Sequence, residues 1–378
     1  MSTVIKRMRI LFLSIMPLIQ ARRLLEYFAA REYDVHLVTF SPYTAIIRNV
    51  KTHQITNANN IFTRIRYLRK VIKKTEPDIL QAYGISCMDT VPAAFSGFHP
   101  LIYNAIGSDI AVGPEESLRV KLLTFFALNR ADLVSTSDES VKKRLIELGC
   151  AEKKIFIAPT TMAVDVHQFS PDARSQSLRK KLGIEDKYSV IIARRLQRKY
   201  SIDVFIKAIP HVLKKMRNVK FIIGGWGPQE SKLKELAKKL NVFEFTEFVG
   251  EIPHDEMPKY LASVDLYVDT FSDYWPGFKS KAGSGIGSTT MEAMACSTPQ
   301  VLADRMKVKS GAWFQGIMFK QLDPADLAEK IVFLLGDEKL RIEIGLRSRK
   351  VALEMGDWEK CMKVWEKKYA SLAYRKGN

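Results

Sequence analysis

Short apolar runs alternate with amphipathic stretches from the start of the chain. Residues 10–14 and 35–40 are near-continuous apolar runs, and 21–31 between them place apolar side chains at helical spacing, which is the strand, helix, strand rhythm of a parallel α/β sheet. The same rhythm predicts a helix over 61–74, strands over 78–82 and 101–105, a helix over 118–129 that reads as buried, a strand over 133–136, a helix over 139–148 stopped by Gly149, and a strand over 155–158. A polar, non-periodic segment over 170–187 then interrupts the pattern, as a linker with one or two helical turns does. After it, strands are predicted at 190–193, 221–224, 245–249, 266–269 and 300–302, separated by helices at 202–216, 229–240, 257–263, 290–296 and 326–335. Two similar α/β halves facing a cleft follow, without a short-period repeat. A last helix over 358–374 has no strand after it, and its apolar positions Trp358, Met362, Trp365, Tyr369 and Leu372 recur at helical spacing.

Composition narrows the classes. The chain has 378 residues, 47% hydrophobic and 26% charged, which suits two globular domains. Lys+Arg 59 against Asp+Glu 41 leave a net charge of +18, a balance that fits phosphate-bearing ligands, nucleic acid or an anionic membrane surface. The excess is spread over both halves and no nucleic-acid-binding motif accompanies it, so nucleic acid is not an expected partner. Cys87, Cys150, Cys296 and Cys361 lie far apart with no CxxC pair, so neither a disulfide framework nor a zinc site is expected and a reducing cytoplasm fits best. The longest apolar run, 10–19, is about half of the roughly 20 residues that span a bilayer. With Lys6, Arg7 and Arg9 before it, this run imitates a signal peptide, but Gln20-Ala21-Arg22-Arg23 lacks a small-residue cleavage pattern, and the run is read as the first buried strand of an intact cytoplasmic chain.

Doubly wound sheets bind ligands beyond the carboxyl ends of their strands, which directs attention to four places. After the strand ending at Ala193, Arg194-Arg195-Leu196-Gln197-Arg198-Lys199 concentrates cations suited to a diphosphate, or simply forms a solvated basic loop. Gly224-Gly225-Trp226-Gly227-Pro228 follows a strand and opens a helix, where glycines let backbone approach a ligand. Gly283-Ser284-Gly285-Ile286-Gly287-Ser288 feeds the helix that begins Thr289-Thr290-Met291-Glu292, an arrangement that aims backbone N–H groups at phosphate oxygens. Glu292 is placed there either to accept from ribose hydroxyls or, with Thr289, to close a capping box. Gly107-Ser108-Asp109, past the strand at 101–105, offers a short carboxylate for an acceptor or sugar hydroxyl, or a plain turn with a helix cap. The six histidines are scattered, no His/Cys cluster supports a metal, and neither GxGxxG after the first strand nor GxxxxGK[ST] is present.

This ordered set of residues resembles glycosyltransferase family 4, the retaining, nucleotide-sugar-dependent glycosyltransferases of the GT-B fold. The similarity runs through Asp78-Ile79-Leu80-Gln81-Ala82, Gly107-Ser108-Asp109, Ala131 to Ser137, Val164-Asp165, Arg195-Leu196 with Lys199, Gly225-x-Gly227-Pro228, and Glu292 to Cys296 with Thr298-Pro299. The resemblance implies two Rossmann-like doubly wound domains: residues 1–170 binding the acceptor, a linker at 171–187, residues 188–356 binding the nucleotide sugar, and a C-terminal helix at 357–378 crossing back to the first domain. Arg195, Lys199, Gly285, Gly287, Ser288 and Thr289 would hold the donor diphosphate, Gly225, Gly227 and Glu292 the nucleotide, and Gly107 and Ser108 the acceptor side, with Asp109 and Ser284 as catalytic residues. The expected reaction retains the anomeric configuration without metal or cofactor, its substrates a UDP- or GDP-sugar and a glycan, lipid-linked or small-molecule acceptor. The family's usual glutamate eight positions before Glu292 is Ser284 here, its histidine before Gly107 is Ile106, and Tyr200 replaces a common glycine.

Alternatives with the same fold are a nucleotide-sugar epimerase and a non-catalytic relative; a nucleic-acid-binding protein ranks lower. The predicted helix at 61–74 combines Arg64, Arg66, Arg69, Lys70, Lys73 and Lys74 with an apolar face, which makes peripheral contact with the inner face of a membrane a candidate property.

Overall fold

The computed structural model describes residues 7–14, 19–41, 47–111, 113–136, 139–158, 163–272, 274–275, 278–279, 287–305 and 314–377. The chain forms two units, Met1–Thr161 with Lys360–Asn378, and Met162–Glu359.

In the first unit, strands β1 (Arg9–Ser14), β2 (Asp34–Thr39), β3 (Lys51–Gln54), β4 (Ile79–Tyr83), β5 (Leu101–Asn104), β6 (Leu133–Thr136) and β7 (Ile155–Ile157) make one seven-stranded parallel sheet in the order β3-β2-β1-β4-β5-β6-β7. The connections carry α1 (Ile19–Ala29), α2 (Ile61–Thr75), α3 (Ser108–Ala111), α4 (Gly113–Glu116), α5 (Leu118–Arg130) and α6 (Glu139–Glu147). Ile10, Leu11, Phe12 and Leu13 are all buried, as a parallel strand covered on both faces requires. The edge strand β3 is Lys-Thr-His-Gln, polar and largely exposed, so no apolar run announces it; its pairing with β2 makes it a strand.

The second unit contains α7 (Gln176–Leu182), β8 (Tyr188–Ala193), α8 (Ile202–Lys215), β9 (Val219–Gly224), α9 (Glu230–Lys239), β10 (Thr246–Gly250), α10 (Met257–Ser263) and β11 (Leu266–Asp269). The hairpin β12 (Tyr274–Trp275) and β13 (Phe278–Lys279), α11 (Ser288–Ala295), β14 (Gln300–Ala303), β15 (Ile317–Phe319), α12 (Pro324–Gly336) and α13 (Glu338–Met355) follow. Its six-stranded sheet has the order β10-β9-β8-β11-β14-β15, the same winding as the first. Alternate residues of β8 face opposite cores: Val190 and Ile192 pack in one apolar cluster, Ile191 and Ala193 in the other.

The polar segment 171–187 carries its expected helical turns as α7 and groups with the second unit, where Ser175 N–H donates to Ser263 Oγ at 2.9 Å and Arg179 Nη1 donates to the Ser263 carbonyl at 2.7 Å. Two expectations change. The helix over 118–129 exists as α5 but exposes Leu118, Leu122, Phe125 and Phe126, so its apolar character does not mean burial. Helix α13 goes unpredicted because its charged and apolar residues interleave without a clear stripe.

From residue 360 onward the last helix, α14 (Trp358–Gly377), groups with the first unit. Trp365 and Tyr369 are fully buried, and the Tyr369 ring lies 4.8 Å from that of Phe28. Its hydroxyl donates to Gln81 Oε1, the Gln81 amide donates to Asn104 Oδ1, and Asn104 Nδ2 donates to Ser135 Oγ at 2.7 Å. A buried chain of hydrogen bonds thus crosses β4, β5 and β6 and ends on the helix.

Candidate functional site

In the second sheet the strand order reverses between β8 and β11, and ligands of doubly wound sheets lie beyond the carboxyl ends at such a reversal. β8 runs out into Arg194 and β11 ends at Asp269, so this pair stands at the reversal itself.

The loop after β8 is backed by the glycine turn after β9. Arg194 N–H donates to the Gly224 carbonyl at 3.0 Å, Leu196 N–H to the Trp226 carbonyl at 2.9 Å, and Gln229 N–H to the Leu196 carbonyl at 3.0 Å. Gly225, at φ +125°, lies so close that a Cβ would sit 1.9 Å from the Arg194 carbonyl oxygen; at Gly227 a Cβ would sit 2.6 Å from that of Leu196. These two glycines, expected to admit a nucleotide, admit the backbone of the cationic loop.

The two adjacent arginines part company. Arg195 is exposed, its guanidinium 4.6 Å from the centre of the Trp226 ring. Arg194 turns inward, where its Nη2 donates to Asp269 Oδ2. The same carboxylate accepts from Thr290 Oγ1 at 3.3 Å and, through its other oxygen, from Phe271 N–H at 3.0 Å, while Arg305 Nη2 stands 3.5 Å away. Burial pushes the Asp269 carboxyl up, but Arg194 and Arg305 outweigh it and hold the group below the usual carboxylate range. For Arg194 burial alone would loosen the proton, yet the Asp269 carboxylate raises its pKa above the ordinary arginine value.

Helix α11 begins beside this cluster. Its cap is Gly287, without a side-chain cap hydrogen bond, and a Cβ there would sit 2.2 Å from Arg194 Nη1. Two guanidinium groups and the positive end of a helix thus meet around one carboxylate, the electrostatic setting for an anion. Ser288 and Thr289 form the half-exposed first turn. The capping box is not formed: the cap lies two residues before Thr289, and the buried Glu292 carboxylate instead faces His254, whose Nε2 donates at 3.0 Å. Half-buried Lys199 places its ammonium 5.1 Å from the centre of the Tyr200 ring, and the Tyr200 carbonyl accepts from Thr270 Oγ1 at 2.6 Å. Ser284, Gly285 and the side chain of Ser108 lie outside the described residues.

In the first unit, Gly107 adopts φ +97° with open space where a Cβ would be, so conformation alone calls for glycine. Asp109 is buried in α3, where its Oδ2 accepts from Ile85 N–H at 2.8 Å and its Oδ1 from Ile106 N–H at 3.0 Å. The carboxylate ties together the loops that follow β4 and β5. Burial pushes its pKa up to about 6 despite these amide hydrogen bonds. Asp269, Arg305 and His254 are not among the residues to which the sequence pattern points, and nothing in that pattern distinguishes Arg194 from its neighbours; the available sign is an aspartate closing an otherwise apolar strand. Among the described residues, no three His, Cys, Asp or Glu side chains gather as a metal site, and the cysteines form no disulfide.

Residues 174–351 match the family described as Glycosyl transferases group 1, and residues 9–138 the family described as Glycosyl transferase 4-like. The chain is 27% identical over 199 residues to the GDP-mannose-dependent alpha-(1-6)-phosphatidylinositol monomannoside mannosyltransferase of Mycolicibacterium smegmatis, covering 52% of this chain and 51% of that protein. It is 23% identical over 211 residues to a phosphatidylinositol N-acetylglucosaminyltransferase chain of Arabidopsis thaliana, covering 56% and 43% respectively. The chain thus spans about half the length of the curated relatives it matches. Among solved structures, Anabaena HepE in complex with UDP-glucose is similar at a TM-score of 0.78 and 19% identity, covering 97% of this chain and 100% of that one. With two sheets of one winding and both halves matched, the chain carries the GT-B fold and belongs to the group 1, glycosyltransferase 4-like glycosyl transferases.

Proposed function

We propose that this protein transfers a sugar from a nucleotide diphosphate sugar to a hydroxyl of a glycan, lipid-linked or small-molecule acceptor, with retention of anomeric configuration and without a metal, in the cytoplasm. The observation that carries the reading is the gathering of Arg194, Asp269 and Arg305 beside the tip of α11, at the reversal of the second sheet. A diphosphate leaving group gains negative charge as the glycosidic bond breaks, and fixed cations and helix amides stabilise that charge without reorganising. Arg195 and Lys199 supply further positive charge from the same loop, and Glu292, oriented by His254, accepts from the ribose hydroxyls. The departing diphosphate takes the acceptor's proton.

Calorimetric titration with UDP and GDP tests the binding half. Arg195→Ala and Lys199→Ala each remove a charge-assisted contact of about 1.5–3 kcal/mol, a loss of roughly tenfold or more in affinity. Unchanged affinity in both variants overturns the assignment. Turnover of a nucleotide-sugar panel, with the product's anomeric configuration read by NMR and repeated in chelator, tests the rest; an epimerised donor without acceptor would mark an epimerase instead.

A further inference from the structure

Helix α5 has an unusual outer face. Leu118, Leu122 and Phe125, at spacing i, i+4 and i+7, are 73%, 59% and 52% exposed and form one stripe. Beside them Phe126 stacks on Phe95 with ring centres 4.5 Å apart. Phe95 also lines a surface groove with Phe62, Ile65, Arg66 and Arg69 of α2, and Phe62 is 80% exposed. The apolar surface is therefore continuous from one helix to the other through Phe95, unlike the scattered single side chains normal on a soluble protein.

Charge follows the same surface. Helix α2 carries six arginines and lysines and α5 carries three, and neither contains a carboxylate. Of the six on α2, Arg64 is turned onto Asp89 at 2.6 Å and so leaves the basic face the sequence assigned it. Arg69 Nη2 donates to the Phe95 carbonyl at 2.7 Å, holding the groove in shape. Arg66, Lys70, Lys73 and Lys74 remain exposed, with Arg119 and Lys121 on α5.

Large apolar tips set among cations, with no acid on either helix, fit the interface of an anionic bilayer. There the tips enter the acyl boundary while the cations meet lipid phosphates. Nucleic acid matches the cations but offers nothing to Leu118 and Leu122, and an apolar protein groove leaves the cations unmatched. No helix among the described residues is long and apolar enough to cross a membrane, so the contact is one of lying on the surface. We infer that α2, Phe95 and α5 form a face by which this protein docks onto anionic lipid bilayers. The inference goes beyond the proposed transfer reaction and stands on different residues.

The test is flotation of the full chain with vesicles of phosphatidylcholine alone and of phosphatidylcholine mixed with phosphatidylglycerol. The protein is expected to float with the mixed vesicles, less so as salt rises, and not with phosphatidylcholine. A double variant Leu118→Ser, Leu122→Ser and a separate one Lys73→Glu, Lys74→Glu are each expected to lower partitioning by about tenfold or more. These side chains are exposed, so an unchanged melting temperature shows that the fold survives. No flotation of the natural protein, flotation indifferent to both variants, tighter binding to duplex DNA or RNA than to vesicles, or dimerisation relieved by the leucine variant each overturns the inference. UDP and GDP titrations on the same samples keep the two proposals apart: nucleotide binding without flotation removes only the docking face, and flotation without nucleotide binding removes only the transferase reading.

Discussion

Arg194 and the fully buried Asp269 form an ion pair that joins the carboxyl ends of β8 and β11, two strands whose neighbouring positions mark the reversal of the second sheet. Through Thr290 the same carboxylate also holds the first turn of α11, and Gly287 leaves the space that the guanidinium fills.

Asp269→Asn takes the negative charge away from between two guanidinium groups near the helix tip. Breaking a buried pair from one side costs about 3–5 kcal/mol, so urea denaturation should show a loss of that order. The double variant Arg194→Met, Asp269→Leu should lose less than the two single changes added. Additive losses would show that the pair does not act as a unit.

Glu292→Gln preserves shape but removes charge, and its expected effect is about a tenfold or greater loss of UDP or GDP affinity with little change in melting temperature. His254→Ala, which removes only the orienting donor, should cause a smaller loss. Equal affinity in all three proteins would make the Glu292 and His254 contact purely structural.

Asp109 supplies a pH dependence. Its carboxyl is raised to about 6 in the folded protein, against an ordinary value near ~3.9 in the unfolded chain, so the folded state binds the proton more tightly. The stability that this protonation adds is fully present below the unfolded value and is lost as pH rises through about 6. The stability difference between the natural protein and Asp109→Asn should therefore fall between about pH 4 and about pH 7. A difference that rises across that window contradicts the assignment.

Gly225→Ala and Gly107→Ala separate contact from conformation. At Gly107 only the positive φ is unfavourable, which costs about 1–2 kcal/mol. At Gly225 the added methyl also meets the Arg194 carbonyl, so the loss should be larger and nucleotide affinity should fall with it. Equal losses would mean that the loop yields without resistance.

Tyr369→Phe leaves the buried Gln81 acceptor without its donor. The expected loss is about 1–3 kcal/mol, with earlier proteolysis of the C-terminal helix. Gln81→Leu combined with Tyr369→Phe should recover part of it, because no polar group is then left unmatched.

The order of amino acids by itself determined that the chain builds two α/β halves, where most strands and helices begin and end, and which loops gather cations and glycines. Those properties rest on periodicity and on residues close in sequence, so they survive without knowledge of the fold. What β3 does, and that α5 shows its apolar side to solvent, were decided only by tertiary structure, since each depends on what packs beside the element. The same holds at the candidate site. Adjacent Arg194 and Arg195 are chemically alike, and only a carboxylate 75 positions away in the chain separates the one that turns inward from the one that is exposed. Likewise the spacing of Thr289 and Glu292 allows a capping box, but a histidine 38 positions earlier takes the carboxylate instead. Long-range electrostatic pairing and the covering of faces arise from the assembled sheets and the helices layered on them, and no local pattern carries them.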